Sequence, residues 1–200
     1  MHDPAASLHD PPALGRARVP RGLSLGTIGA MNADRLAALQ RLGLAIRRHA
    51  PHDGQWPTAL PRVTLIRARA PGVDLMQTLQ TASLCLIASG EKEVLLGGER
   101  YVYDPSCFMA FTTDLPVSGR VMTATDDVPY LCLRMDFDLD EIASLVMPAG
   151  IAASTKAAAP GRGVFVSAVT DDMLDAAERL VRISAHRGRH FRLIVAGISA

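Results

Sequence analysis

Metal chemistry inside a strand-built protein needs two or three imidazoles and a carboxylate converging on one point, because a divalent ion takes several nitrogen or oxygen ligands at about 2 Å. All six histidines, His2, His9, His49, His52, His186 and His190, lie outside the segment that is patterned as strands. His186 and His190 stand four apart, but Gly188 separates them and no acidic third ligand accompanies them, so they read as solvated. Cys85, Cys107 and Cys132 each fall mid-strand among apolar neighbours, the place of a small buried hydrophobe rather than of a nucleophile. The chain has no CxxC or CxxH pair, no glycine-rich phosphate loop and no Gly-x-Ser elbow. Its paired acids, Asp126-Asp127 and Asp171-Asp172, sit at a turn and a helix start, where carboxylates stabilise termini. The expectation is a chain that is not an enzyme, with no catalytic residue, no metal site and no cofactor.

The elements that carry these residues are those of one globular domain with tails. The chain has 200 residues, 48% of them hydrophobic and 20% charged, enough apolar material for a core of its own. No run approaches the roughly 20 apolar residues that a bilayer crossing needs, and the proline- and aspartate-containing N-terminus lacks a signal-peptide core. Three scattered cysteines are too few for a disulfide framework, so a reduced cytoplasm is expected and no membrane partner. Residues 1–30 carry a formal charge of +1, residues 31–178 carry −5 and residues 179–200 carry +5. The basic tail, with Arg179, Arg182, Arg187, Arg189 and Arg192, suits weak phosphate contact, but no helix-turn-helix, RNP motif or zinc finger accompanies it.

Along the chain, residues 1–30 read as a proline-rich flexible leader. Leu36, Leu39, Leu42, Gly43 and Ile46 recur at spacings of three and four, the stripe of an amphipathic helix that Pro51 ends. From residue 62 to 137 the period changes to two. RVTLIRARA, SLCLIAS, KEVLL, RYVY, CFMAFTT, SGRVMTA and YLCLRMDF are short runs separated by turn signals, which read as an antiparallel meander closing into a sandwich or small barrel. In RVTLIRARA, Val63, Leu65 and the alanines alternate with Arg62, Arg67 and Arg69, which reads as one apolar and one charged face. Gly97-Gly98 reads as a tight hairpin. Asp138 with Glu141 resembles a capping box, and VFVSAV and a helix over Asp171–Ser184, capped by Thr170, follow a small-residue loop at 148–163.

Three stretches, SLCLIASGEKEVLLGGERYVYDP (83–105), TTDLPVSGRV (112–121) and VPYLCLRMDFD (128–138), taken together and in order, resemble the N-terminal regulatory domain of AraC-type bacterial transcriptional regulators. The resemblance runs from about Leu36 to Ile183. It implies a mainly β fold with flanking helices, a cupin-like jelly roll or small barrel followed by C-terminal α-helices, which senses an effector and dimerises. Complete members continue into two helix-turn-helix units that bind DNA. The sequence departs from that pattern after Leu180, so the expected organisation is a leader at 1–30, a regulatory domain at 31–184 and an atypical basic tail at 185–200. DNA is then reached only through a helix-turn-helix domain absent here. The alternative is a cupin-type metal-dependent enzyme, an isomerase or dioxygenase.

A roll lined by Leu, Val, Met and Phe suits a small organic effector with a sizeable apolar part. In YLCLRMDF, alternation puts Leu131, Leu133, Met135 and Phe137 on one face and Tyr130, Cys132, Arg134 and Asp136 on the other. The apolar face is assigned to the interior. Candidate ligand-binding residues are Leu84, Leu86, Met109, Phe111, Leu131, Leu133 and Met135. Along CFMAFTT the period does not choose between the two faces, and a solid core with no cavity fits the same pattern. Leu174, Leu180, Val181 and Ile183 form a stripe for dimerisation, with a second copy or a full-length paralogue, or for packing on the chain's own barrel.

Overall fold

The computed structural model of the chain describes residues 33–146 and 163–196. Helix α1 (Ala33–His49) leads into β1 (Gly54–Pro57), β2 (Val63–Ala68), β3 (Met76–Gln80), β4 (Ser83–Ser89), β5 (Glu91–Leu96), β6 (Glu99–Tyr103), β7 (Cys107–Phe111), β8 (Leu115–Thr123) and β9 (Tyr130–Asp136). Helix α2 (Leu139–Val146), β10 (Val164–Ala168) and helix α3 (Asp171–Ala196) complete the described elements. The expected leader and small-residue loop lie outside the described residues.

The strands form two antiparallel sheets, ordered β1-β2-β9-β4-β7-β10 and β3-β8-β5-β6. Among the described strands only β1–β2 and β5–β6 pair as sequence neighbours, so the meander expectation is corrected. Strands β2 to β9 instead pair as β2·β9, β4·β9 and β4·β7 in one sheet and β3·β8, β5·β8 and β5·β6 in the other. That is the pairing of a jelly roll, in which a long antiparallel ribbon wraps until distant strands meet. Composition hid β1 and β3. The first is four residues long with Gly and Pro at its ends, and MQTLQ of β3 is exposed at every position but the last.

The core divides into two layers that share the first sheet. Between the sheets lie Cys85, Ile87, Val94, Tyr103, Met109, Phe111, Tyr130 and Cys132, among others. On the sheet's other face, Leu65, Leu86, Leu131 and Leu133 pack against Leu39, Leu42 and Ile46 of α1 and Leu174 and Val181 of α3. The interior face assigned to β9 is therefore corrected: Leu131, Leu133 and Met135 turn to the helices, while Tyr130 and Cys132 face the roll. A sheet covered by helices on one face and by a second sheet on the other is apolar on both, so alternation no longer marks the lumen. Strand β2 behaves likewise, with Val63 and Leu65 toward the helices and Ile66 and Ala68 toward the roll. In CFMAFTT the question left open is resolved, with Cys107, Met109 and Phe111 inward and Phe108 on the helix side.

Local signals set the ends of elements. Gly97 and Gly98 have φ of 53° and 83°, as a two-residue hairpin requires. Asp104 accepts from the Ser106 N–H at 2.8 Å, making the turn into β7. Asp138 accepts from the N–H groups of Asp140 and Glu141, both at 3.1 Å, so α2 is capped as expected. Glu141 does not close a reciprocal box: its carboxylate accepts from Arg62 at 2.9 Å. Thr170 accepts from Met173 N–H at 3.3 Å at the start of α3. That helix continues past Ser184 to Ala196, through Gly188, because one helical glycine costs only about 1 kcal/mol.

On the outer face of the second sheet, Glu93 is nearly covered, with 5% of its side chain exposed, by two guanidinium groups rather than by depth. Arg100 donates to it at 2.6 Å and Arg120, directly opposite on β8, at 3.0 Å. Burial pushes its carboxyl pKa up, and the two arginines outweigh that, leaving it below its usual value. Between the helices, Glu178 accepts from Arg41 at 3.0 Å and also pairs with Arg182, with the same net lowering against burial.

Two outcomes follow from these contacts. Gly90 turns β4 into β5 at φ 84°, and a Cβ there would lie 2.6 Å from the Thr123 carbonyl and 2.9 Å from Tyr130 Cα. Gly90→Ala should cost at least about 1–3 kcal/mol in urea unfolding, and an unchanged midpoint would show that the turn is not as tight as described. Glu93 and Glu178 have depressed folded pKa values, so their stabilisation is present above the ordinary carboxylate range and is lost as pH falls through the lowered values. Thermal midpoints should therefore drop between about pH 5 and pH 3. Glu93→Gln should flatten that drop and cost about 1–3 kcal/mol at neutral pH; an acid profile identical to the parent's would contradict it.

Candidate functional site

Helix α1 lies so close on the first sheet that a Cβ at Gly43 would stand 3.6 Å from Leu131 Cδ1 and 3.9 Å from Ala88 Cβ. Beside this contact, α1, the β4–β5 turn and the loop before β9 leave an open groove of about 610 Å³. Its apolar lining includes Leu36, Leu39, Leu44, Ala88, Val128 and Leu131. Leu36, Leu44 and Val128 remain 45%, 57% and 58% exposed, so the groove presents apolar surface to solvent rather than a closed core. Its polar groups are few. Arg47 donates to the Asp127 carbonyl and Ser89 to the Pro129 carbonyl, which ties the loop to the helix and strand. Gln40 is also in the lining.

A second groove, of about 440 Å³, lies where β2 and β9 meet α2 and α3 and is lined by Leu60, Val63, Met135, Phe137, Ile142 and Leu180. Arg62 crosses its edge, paired with Asp138 at 3.0 Å and Glu141 at 2.9 Å.

The roll interior carries polar chemistry that its sequence assignment did not anticipate. Cys85, Cys132, Tyr103 and Tyr130 are all at least 96% buried and face one another between the sheets. The Cys132 thiol donates to the Leu133 carbonyl at 3.5 Å, and the neighbouring Cys85 thiol, with Tyr130 and Lys92 nearby, outweighs burial and brings it down to about 7. The Cys132 thiol, with burial, raises Cys85, and burial raises both tyrosines. The Tyr130 hydroxyl is buried and completes no hydrogen bond. Lys92 alternates along β5 with Val94 and Leu96, so its stem runs on the lumen side.

The seven residues expected to line one ligand pocket are divided among different places. Leu131 lines the α1 groove and Met135 the second groove. Leu86 and Leu133 are 1% and 2% exposed in the helix-side core, and Leu84 lies half-buried on the same strand. Met109 and Phe111 are in the roll interior. Of the expected dimerisation stripe, Leu174 and Val181 are buried in the chain's own core, Leu180 packs partly against it, and Ile183 is 53% exposed. Sequence reasoning missed Leu44 and Val128. Leu44 stands off the buried stripe of α1, and Val128 sits among turn residues, two places where a large apolar side chain lacks a core to fill.

A family model described as the AraC-type transcriptional regulator N-terminus matches residues 59–199. No curated protein matches the sequence. Among solved structures the chain is similar to ToxT from Vibrio cholerae, with 9% identity and a TM-score of 0.45 over 60% of this chain and 46% of that one. ToxT bound to (E)-4-(8-methylnaphthalen-1-yl)but-3-enoic acid is matched at 9% identity and a TM-score of 0.47, with the same coverage. The AraC-like transcriptional activator CuxR is matched at 10% identity and a TM-score of 0.30, over 71% of this chain and 63% of that one. The chain thus spans about half the length of the ToxT structures it matches. With well over half of its residues inside the family model, the chain belongs to the AraC-type transcriptional regulators, as their N-terminal domain.

Proposed function

We propose that this domain is the effector-binding and dimerisation part of a cytoplasmic regulator, one that acts on transcription in response to a small organic molecule and reaches DNA through a separate helix-turn-helix domain. The observation that carries the reading is the α1 groove. Its volume, about 610 Å³, falls within the range of small-molecule sites, and its lining is apolar with few polar groups. A ligand there touches α1 directly. On its other flank α1 is tied to α3 by Arg41 to Glu178 at 3.0 Å, and to the link just before α3 by Arg35 to the Val169 carbonyl. Occupancy of the groove is thereby felt by the helix that leads away from the roll. The supported effector has a sizeable apolar body, with at most one or two polar groups in reach of Gln40.

For self-association, Ile183 is the member of the α3 stripe with surface to offer, and we place the dimer contact there, on an isologous face shared by two copies or by one copy and a full-length paralogue.

Screening the purified domain against small organic acids, aromatics and sugars by thermal shift should give at least one apolar hit. A saturating hit at about 100 times its Kd adds about 2.7 kcal/mol of stability. Leu44→Gln, at an exposed position, should leave the parent stability within about 0.5 kcal/mol while weakening the hit about tenfold. A hit unaffected by Leu44→Gln would move the site elsewhere. For the dimer, light scattering of Ile183→Asp should show a loss of dimer mass with no change in circular dichroism, and an unaltered mass would remove Ile183 from the interface.

A further inference from the structure

We propose that Cys85, Cys132 and Met109 form a soft-metal site inside the roll, which takes one copper(I) ion between the two cysteine sulfurs with the methionine thioether beside them. The inference is independent of what occupies the α1 groove. Strands β9, β4 and β7 are consecutive in the first sheet. Cys85 stands directly opposite Met109 on β7. On β9 it is opposite Arg134, which makes Cys132 its diagonal neighbour. The three sulfur-bearing side chains share the inner face and are 4%, 0% and 1% exposed for Cys85, Met109 and Cys132.

This register favours a shared ion over a disulfide. Diagonal neighbours on adjacent strands lie about 7–8 Å apart, beyond the roughly 4.4–6.8 Å between Cα atoms that a disulfide spans. Two sulfurs that bind one ion at about 2.3 Å each stand about 4 Å from one another. Side chains that reach toward each other from two inward-facing diagonal positions, as those of Cys85 and Cys132 do, can close to that separation. Thiolate and thioether donors are soft and select copper(I) over hard cations. The donor set offered here is two cysteine sulfurs and one thioether, without a third His, Cys, Asp or Glu among the described residues. The Tyr130 hydroxyl, buried beside Cys132 with no hydrogen-bond partner, is an orphan that a bound group next to the thiolates would explain.

The step balances without any change of oxidation state. Two S–H bonds break, two metal–sulfur bonds form, and two protons leave to solvent. The bis-thiolate copper(I) unit carries one negative charge, and Lys92 and Arg134 bear on that position with positive charge. Cys107, the third free thiol, shares the inner face and is the other diagonal neighbour of Cys85, but its sulfur contacts the Asp104 carboxylate at 3.9 Å, so it serves as an internal control.

The test is anaerobic titration of the full chain with copper(I) against a chromophoric copper(I) chelator, followed by X-ray absorption of the loaded protein. The expected result is one ion per chain in an all-sulfur shell at about 2.3 Å. Cys85→Ser and Cys132→Ser should each weaken uptake about a hundredfold and Met109→Leu about tenfold, with Cys107→Ser unchanged. Because a buried serine can unfold the roll, the spectrum of the parent protein decides on its own. No stoichiometric uptake by the parent, a nitrogen or oxygen shell, or loss of uptake in folded Cys107→Ser would each overturn the proposal. So would a two-hydrogen mass loss under mild oxidant in a protein that takes up no copper.

Discussion

The constraint on which the structure depends is that β4 and β9, the central strands of the first sheet, are buried on both faces. Inward they meet the second sheet through Cys85, Ile87, Tyr130 and Cys132; outward they meet α1 and α3 through Leu86, Leu131 and Leu133. Each of these large side chains contributes about 1.5–3 kcal/mol by leaving water, so neither layer of core is stable without the strand pair that both share. The helices are therefore part of the core rather than ornaments on a finished roll. Val181 and Leu42, both completely buried, are the points where α3 and α1 enter it.

The polar contacts follow the same plan. Arg41 with Glu178 fastens the helices to each other, Arg35 fastens α1 to the Val169 carbonyl in the link before α3, and Arg47 fastens α1 to the loop before β9. The order of these contacts, Arg35 near the start of α3 and Arg41 farther along it, runs in one direction down both helices. A body lodged in the groove beside Leu44 and Val128 pushes on the same helix that these contacts hold. The groove and the α1 contacts thus belong to one packed unit, with Leu131 of β9 in the groove's lining. At the far end, Arg134, Asp136 and Thr81 are joined by hydrogen bonds of 2.8–3.1 Å, which closes the roll with satisfied polar groups.

How far the sequence foretold this varies by element, for physical reasons. The strands with clean period two, the glycine hairpin and the caps at Asp138 and Thr170 were legible because each is fixed by local geometry. The pairing order was not, since strands far apart in the chain pair through topology that no period encodes. The facing of β9 was misread for the reason given by its two-sided burial: Leu131 and Leu133 are apolar because helices cover them, and the lumen is lined by the residues that looked polar, Tyr130 and Cys132. Strand β3 was invisible because it is an exposed edge with no buried face to pattern. The groove was illegible for a related reason, as it exists only where α1 and the β9 loop, some 80 residues apart, come together.

The most direct test of the central claim, that the groove and the α1–α3 layer form one responsive unit, is hydrogen–deuterium exchange of the domain with and without its best apolar ligand. The account predicts slowed exchange in α1 and in the first turns of α3, with the inner strands of the second sheet unchanged. Protection confined to β5, β6 and β8, with α1 and α3 exchanging as in the free protein, would contradict it.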